Sequence, residues 1–370
     1  MKKTLNKLLY QIIFITFFLT LLLSACSNQQ ASVQEPAPDA TFPFQQKWSY
    51  QADKTVWKLA SNDNSVFVAT PDKILALSLS NGNLLWEFQF EVDTLAPSLL
   101  ANTKIVIAAN RKEMIGINAI TGQLLWRVDT SVQNGGPGFH LDTISENYLI
   151  VEMARRWNLQ VYDVTTGQLA WETIGNRGGS GVYIDEPHNL LVLVGGPISP
   201  RIFDLKAGEL NFQQEGYTTE RSAYEFSSVY YIDTDKFTAN SLDILTMEKN
   251  WTVRLNSSLS AITFVNDMLL FSSEHGLYAL NKNGDQLWTT DSLGEGFHEK
   301  AVMIGKYIFA QASYTRKIYA WLDDGSLIGT ISVPEKDISQ FISDQKTNIF
   351  SVNNHLLALL NNNKVYVYGK

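Results

Sequence analysis

Few residues of this 370-residue chain have the type and setting for covalent or metal chemistry. There is one cysteine, Cys26, and there are five histidines: His140, His188, His275, His298 and His355. A thiol is a nucleophile and an acyl acceptor, and Cys26 closes the run Leu23-Ser24-Ala25. No two histidines fall at metal-binding spacing and all lie beside turn residues, so solvent-facing loop histidines are expected rather than a zinc site. Asp233-Thr234-Asp235-Lys236 supplies two carboxylates where calcium takes six to eight oxygens, and it reads as a turn. Ser180, within Gly178-Gly179-Ser180-Gly181, lacks the strand-to-helix setting of a nucleophile elbow. What remains is a set of cations and aromatics in short loops: Lys73, Arg111, Lys112, Arg155, Arg156, Trp157, Arg177, Arg201, Tyr314, Arg316 and Lys317. Those are recognition residues, and what they can do depends on the elements that carry them.

Residues 1–25 are a processing signal. Lys2, Lys3 and Lys7 form a positive segment, and residues 12–23, IIFITFFLTLLL, form an apolar one. Leu23-Ser24-Ala25-Cys26 resembles the lipobox of bacterial lipoproteins, which implies acylation of the Cys26 thiol and cleavage before it. Ser27, rather than Asp, follows the cysteine. By the enterobacterial sorting pattern this implies the outer membrane facing the periplasm; in a cell with one membrane the site is the outer face of the plasma membrane. Residues 26–44 are then the lipidated cysteine and a polar, Pro-bearing flexible tether, and residues 45–370 form one domain. Loss of Lys2, Lys3 and Lys7 leaves 37 acidic residues against 26 basic ones, which disfavours nucleic acid as a partner.

The domain is written as repeats. ILALSLSNGNLLWEF ends near Trp86, MIGINAITGQLLWRV carries Trp126 and LQVYDVTTGQLAWET carries Trp171. The same slot holds Phe212, Trp251, Trp288 and, in IYAWLDDGSLIGTI, Gly329, with Trp321 as its expected compensation. Four positions before the slot stand Gly82, Gly122, Gly167, Gly208, Gly284 and Gly325, with Met247 in the remaining copy. Eight before it, Ser78, Asn118, Asp163, Asp204 and Asp243 supply a turn-capping side chain. Each copy predicts a β-hairpin with a positive-φ turn, preceded by two more apolar strands. Trp126 follows Trp86 by 40 residues, and an all-β period of that length indicates a propeller. Trp48 sits 38 residues before Trp86, and the C-terminal segment has three strands where four are needed. The N-terminal strand can complete it, removing both open sheet edges. The expected fold is therefore all-β: an eight-bladed β-propeller of four-stranded antiparallel blades, closed by the N-terminal strand pairing with the C-terminal blade.

The slot pattern, an apolar strand and then Asp-x-x-Thr-Gly-x-x-x-Trp, resembles the pyrroloquinoline-quinone-like (PQQ-like) propeller repeat. The resemblance covers nearly all of the domain. It is strongest around Trp126 and Trp171 and weakest around Met247 and Gly329. It implies that Trp48, Trp86, Trp126, Trp171, Phe212, Trp251 and Trp288 dock between adjacent blades. One branch of that superfamily comprises quinoprotein dehydrogenases, which are much longer. Many of them hold a disulfide between adjacent cysteines, and a chain with one cysteine cannot form one. The other branch includes the BamB-like lipoproteins of outer-membrane barrel assembly, which pair a lipobox with eight blades at about this length. No bound quinone or calcium is expected.

In such blades, the loops joining the second and third strands share a face with the loops joining successive blades. That face gathers Arg111, Arg155, Arg156, Trp157, Arg177, Arg201, Tyr314 and Arg316 into a rim. Arg and Trp are interface hot-spot types, suited to an acidic peptide, an unfolded barrel strand or an anionic glycan. Asp72, Glu113, Glu295 and Glu299 dilute the charge, so a merely solvated rim competes with this reading. The expected function is a lipid-anchored, non-catalytic scaffold in the bacterial cell envelope, a monomer outside its complex, with a membrane and a protein as partners. A small quinoprotein oxidoreductase and a glycan- or peptide-binding sensor stay open as alternatives.

Overall fold

The computed structural model describes residues 42–369 apart from 91–97, 111, 131–138, 154–157, 174–180, 195–197, 216–220, 234–235, 291–292, 314, 316, 333–348, 353–355 and 362. All of these described residues fall in one compact unit. Among the described residues thirty-two strands pair into eight four-stranded antiparallel sheets. Blade 1 is β2 (Lys58–Ser61), β3 (Ser65–Ala69), β4 (Lys73–Ser78) and β5 (Leu84–Gln89), here termed strands A to D from the axis outward. Blades 2 to 7 repeat this order from β6 (Ser98–Ala101) to β29 (Leu327–Ser332). Blade 8 is β30 (Ile349–Val352), β31 (Leu356–Asn361), β32 (Lys364–Gly369) and, as its D strand, β1 (Gln45–Gln51). Trp48 pairs with Val367 and Tyr50 with Val365. The first and last strands thus close the ring, as the sequence predicts.

The pattern along each blade follows from its place in the ring. Strands B and C are packed on both faces: β3 is buried throughout, and so are the four central residues of β4. They accordingly read as short, nearly continuous apolar runs. The D strands have one free edge and alternate past their first residue, as in the exposed, buried and exposed residues Leu85-Trp86-Glu87. The core is a series of seams between blades rather than one central mass. One cluster joins Phe67 and Trp86 of blade 1 to Val106 and Ile115 of blade 2, and the next joins Ile107 and Trp126 to Leu149 and Tyr162.

The repeated tryptophan is a latch. Each indole lies on the C–D turn of the following blade, so a Cβ on Gly122 would stand 2.8 Å from the Trp86 ring and one on Gly167 2.6 Å from the Trp126 ring. Both glycines have φ near 70°, at 73° and 69°, a region costly for a residue with a Cβ. Each indole N–H also donates to a backbone carbonyl of that turn: Trp48 to Leu79, Trp126 to Val164, Trp171 to Leu205, Trp251 to Lys282 and Trp288 to Asp323 at 2.8 Å, and Trp86 to Ala119 at 3.1 Å. Asn118 Oδ1 accepts from the Ile120 and Thr121 N–H groups, and Asp163 Oδ1 from Thr166. These are the local caps expected of short polar side chains in turns. Toward the axis, a second tie runs between A–B turns. The Asn62 side chain donates to the Asn102 carbonyl at 3.2 Å, Asn102 to Ser145 at 2.8 Å and Asn147 to the Glu186 carboxylate at 2.8 Å.

Two seams lack the indole. At the blade 4–5 seam Phe212 faces Met247, which holds φ 61° without being glycine. The smaller ring leaves room for the side chain that glycine would omit. At the blade 7–8 seam the slot is Gly329. Its target would be a C–D hairpin in blade 8, but there the chain's two ends meet and no hairpin exists. Trp321 does not compensate, contrary to expectation: it packs with Phe297 and Ala279 on the blade 6 side. Phe42 and Phe44 fill the seam instead, with centroids 5.8 and 5.1 Å from Phe309.

Candidate functional site

The ring has two unlike faces. The A–B and C–D turns share one, because Leu79 N–H donates to the Asn64 carbonyl and Ala119 N–H to Lys104. The B–C turns and the ends of the D strands share the other, through Phe90 N–H to Asp72 and Thr130 N–H to Lys112. The sequence pattern assigns the cationic rim to the second. Arg111, Arg155, Arg156, Trp157, Arg177, Tyr314 and Arg316 lie outside the described residues.

The described cations of that face are mostly committed. Lys73 sits 3.3 Å from Asp53 and 3.4 Å from Glu87, Lys54 pairs with Asp72 at 2.7 Å and Arg127 with Glu113 at 3.2 Å. Lys112 is exposed. Arg201 is not on a solvated rim: it is 2% exposed on β16 (Ile198–Asp204), paired with Leu193 and Gln213. Its position mid-strand, rather than at the loop tip, turns it into the seam. Burial pushes its guanidinium below the usual value and the Glu152 charge pulls it back. Nearby on blade 3, Gln160 is hydrogen-bonded to Glu172 at 3.0 Å and receives the Tyr162 hydroxyl at 2.8 Å. Burial, then the Glu172 charge, raises that phenol to about 12. The loop face of blades 3 and 4 therefore stands on a buried polar layer. Asp233 and Lys236 form a turn, with Lys236 N–H donating to Asp233 Oδ1 and its ammonium 2.9 Å from Oδ2.

Sequence reasoning missed a cluster across the blade 4–5 seam. His188 Nδ1 lies 2.7 Å from Asp185 Oδ1, and the Tyr224 hydroxyl donates to Asp185 Oδ2 at 2.7 Å. The His188 and Phe226 rings stack at 3.5 Å and 9°. Tyr183 stacks on Tyr224 and its hydroxyl is 3.0 Å from Ser222 Oγ. His188 is exposed in the A–B turn of blade 4, as expected of a loop histidine, and it also reaches across the seam to Phe226. Asp185 is 8% exposed. Burial raises its carboxyl pKa, but hydrogen bonds from Tyr224 and His188 outweigh burial and hold it below the usual value. The clasp stands at the described seam where both latch residues have been replaced. The only available signal was that paired replacement, Phe212 with Met247. Beside it, a shallow, solvent-open depression of about 540 Å³ between the A–B turns of blades 3 and 4 is lined by Ser145, Glu146, Ile184, Glu186 and Pro187. It opens on the face opposite the expected rim.

These features define an eight-bladed β-propeller. Its architecture is BamB-like: residues 37–192 match the family profile described as outer membrane protein assembly factor BamB. The crystal structure of BamB from Moraxella catarrhalis is similar, with TM-score 0.65 and 17% identity over 88% of this chain and 98% of that one. The computationally designed Ika8 protein is similar with TM-score 0.67 and 16% identity, over 88% of this chain and 98% of that one. So is quinohemoprotein alcohol dehydrogenase ADHIIG from Pseudomonas putida HK5, with TM-score 0.63 and 11% identity over 90% of this chain and 78% of that one. No curated protein matches the sequence. Among the described residues no three or more His, Cys, Asp or Glu side chains are grouped so as to hold a metal ion. The chain has a single cysteine.

Proposed function

We propose that this protein is a lipid-anchored, non-catalytic scaffold of the bacterial cell envelope, held through Cys26 and presenting its B–C loop face to a protein partner, as in outer-membrane protein assembly. The observation that carries this reading is the combination of a lipobox-like N-terminus with a BamB-like ring whose seams are latched by indoles. Such a ring is a rigid mount for loops, and loops on a rigid mount commonly carry recognition. The rim residues Arg155, Arg156 and Trp157 have the composition of an interface hot spot. In a cell with two membranes the location is the outer membrane facing the periplasm, following from Ser27 after the cysteine.

The test is co-purification from detergent-solubilised membranes. Reversing both charges, Arg155→Glu with Arg156→Glu, is expected to reduce recovery of the partner by roughly tenfold or more, as loss of paired interface charges does. Undiminished recovery would remove the rim from the interface. Addition of the quinone with calcium is expected to yield no bound chromophore, whereas a stoichiometric one would favour the oxidoreductase reading.

A further inference from the structure

Among the described residues eleven large apolar side chains are exposed, and all but Phe237 lie at the A–B/C–D end. Ile120, 78% exposed, and Leu245, 64% exposed, are at the tips of C–D turns, and Phe226 is in an A–B turn. Others open the D strands just past those turns, as Leu84 and Leu124 do opposite Leu77 and Ile117. Phe237 lies in the B–C turn of blade 5.

The chain joins the ring on this same face. Ala52, just past the end of β1, donates to the Asn363 carbonyl in the B–C turn of blade 8, so that end of β1 is on the loop face. Its beginning, Gln45 opposite Gly369, is therefore at the A–B/C–D end, and Phe44 precedes it there. Sixteen residue steps separate Cys26 from Phe42, a span of at most ~55 Å. An anchor that close holds the face near the bilayer at an effective concentration on the order of millimolar, where a few inserted side chains suffice. The two tips are uncharged, with Thr121 after Ile120 and Thr246 after Leu245, while exposed carboxylates stand elsewhere on the turns of the same face at Asp63, Glu209, Glu248 and Asp285. Lys104 and Glu146 pair at 3.2 Å, as do Lys282 and Asp267. Asp323 and Asp324 sit in the blade 7 C–D turn, so the attraction is apolar rather than one for anionic headgroups.

We propose that the A–B/C–D face lies against the lipid bilayer, with Ile120 and Leu245 entering its surface. This rests on acylation of Cys26 and fixes an orientation: the loop face points away from the membrane, toward its partner. The test uses the full acylated chain on vesicles of phosphatidylethanolamine with a minority of phosphatidylglycerol. Nitroxide labels are placed singly through Ile120→Cys and, on the opposite face, Lys112→Cys; acylated Cys26 does not react. The label at 120 is expected to be accessible to oxygen and shielded from a soluble nickel chelate, and the label at 112 the reverse. A double variant, Ile120→Asp with Leu245→Asp, is expected to lower the docked fraction by roughly tenfold at an unchanged melting temperature. Equal nickel accessibility at both sites, on a chain whose Cys26 mass shows acylation, overturns docking and leaves the anchor standing. A free thiol at Cys26 overturns both. Immobilisation of the 120 label without vesicles would mean that a second copy covers the face and would also overturn the proposal.

Discussion

At the scale of single residues the blade 4–5 clasp is the most sensitive point described. Asp185 is buried and accepts from both Tyr224 and His188, so a change at its carboxylate leaves a buried donor unpaired. Asp185→Asn is expected to cost about 1–2 kcal/mol at neutral pH, read from urea midpoints. The folded carboxyl titrates below its ordinary value. Its contribution is therefore complete above the unfolded pKa near 4 and is lost as pH falls through the lower folded value. The gap between wild type and variant should hold from neutral pH down to about pH 4 and narrow as the pH falls further. A gap that stays constant with pH would show that the ionised carboxylate is not the stabilising species. His188 escaped the sequence because its partners lie on either side of a seam, with Tyr224 and Phe226 more than thirty residues away.

Elements explain why the latch residues change in pairs. A tryptophan needs a glycine in the next blade's turn, since any Cβ there would lie within 2.8 Å of an indole atom at each glycine so used. The Phe212 and Met247 pair meets the same constraint with the bulk moved to the other partner. Phe212→Trp alone should clash with Met247, and Met247→Gly alone should relieve a left-handed φ worth about 1–2 kcal/mol while emptying contact area. The two together restore the arrangement of the other seams. A double-mutant cycle is expected to give a favourable coupling of about 1 kcal/mol or more, and additivity within ~0.5 kcal/mol would refute the pairing. The Gly position and its polar cap were legible in the repeat because turns are local. Gly329 was not legible as a consequence of closure, because its meaning depends on the absence of a hairpin some forty residues on.

For the whole molecule, closure is the element of the fold most open to attack. Deleting residues through Gln51 removes β1, uncovers the edge of β32 and takes Trp48 off the Gly82 turn. Loss of one buried tryptophan and a strand should lower the melting temperature by roughly 10 °C, and the bare edge should drive self-association visible in size-exclusion chromatography. A monomer with unchanged melting would mean that the ring does not need its eighth D strand. The blade count, the turns and the closing strand were determined by the sequence alone, because a period of about forty residues, apolar alternation and glycine placement act over short stretches of chain. Which face carries the exposed apolar tips, why Arg201 is buried, and how Asp185, His188 and Tyr224 meet were decided only by the tertiary structure. Those depend on which residues of neighbouring blades face each other once the ring closes, and a pattern written within each blade carries no record of its neighbour's register.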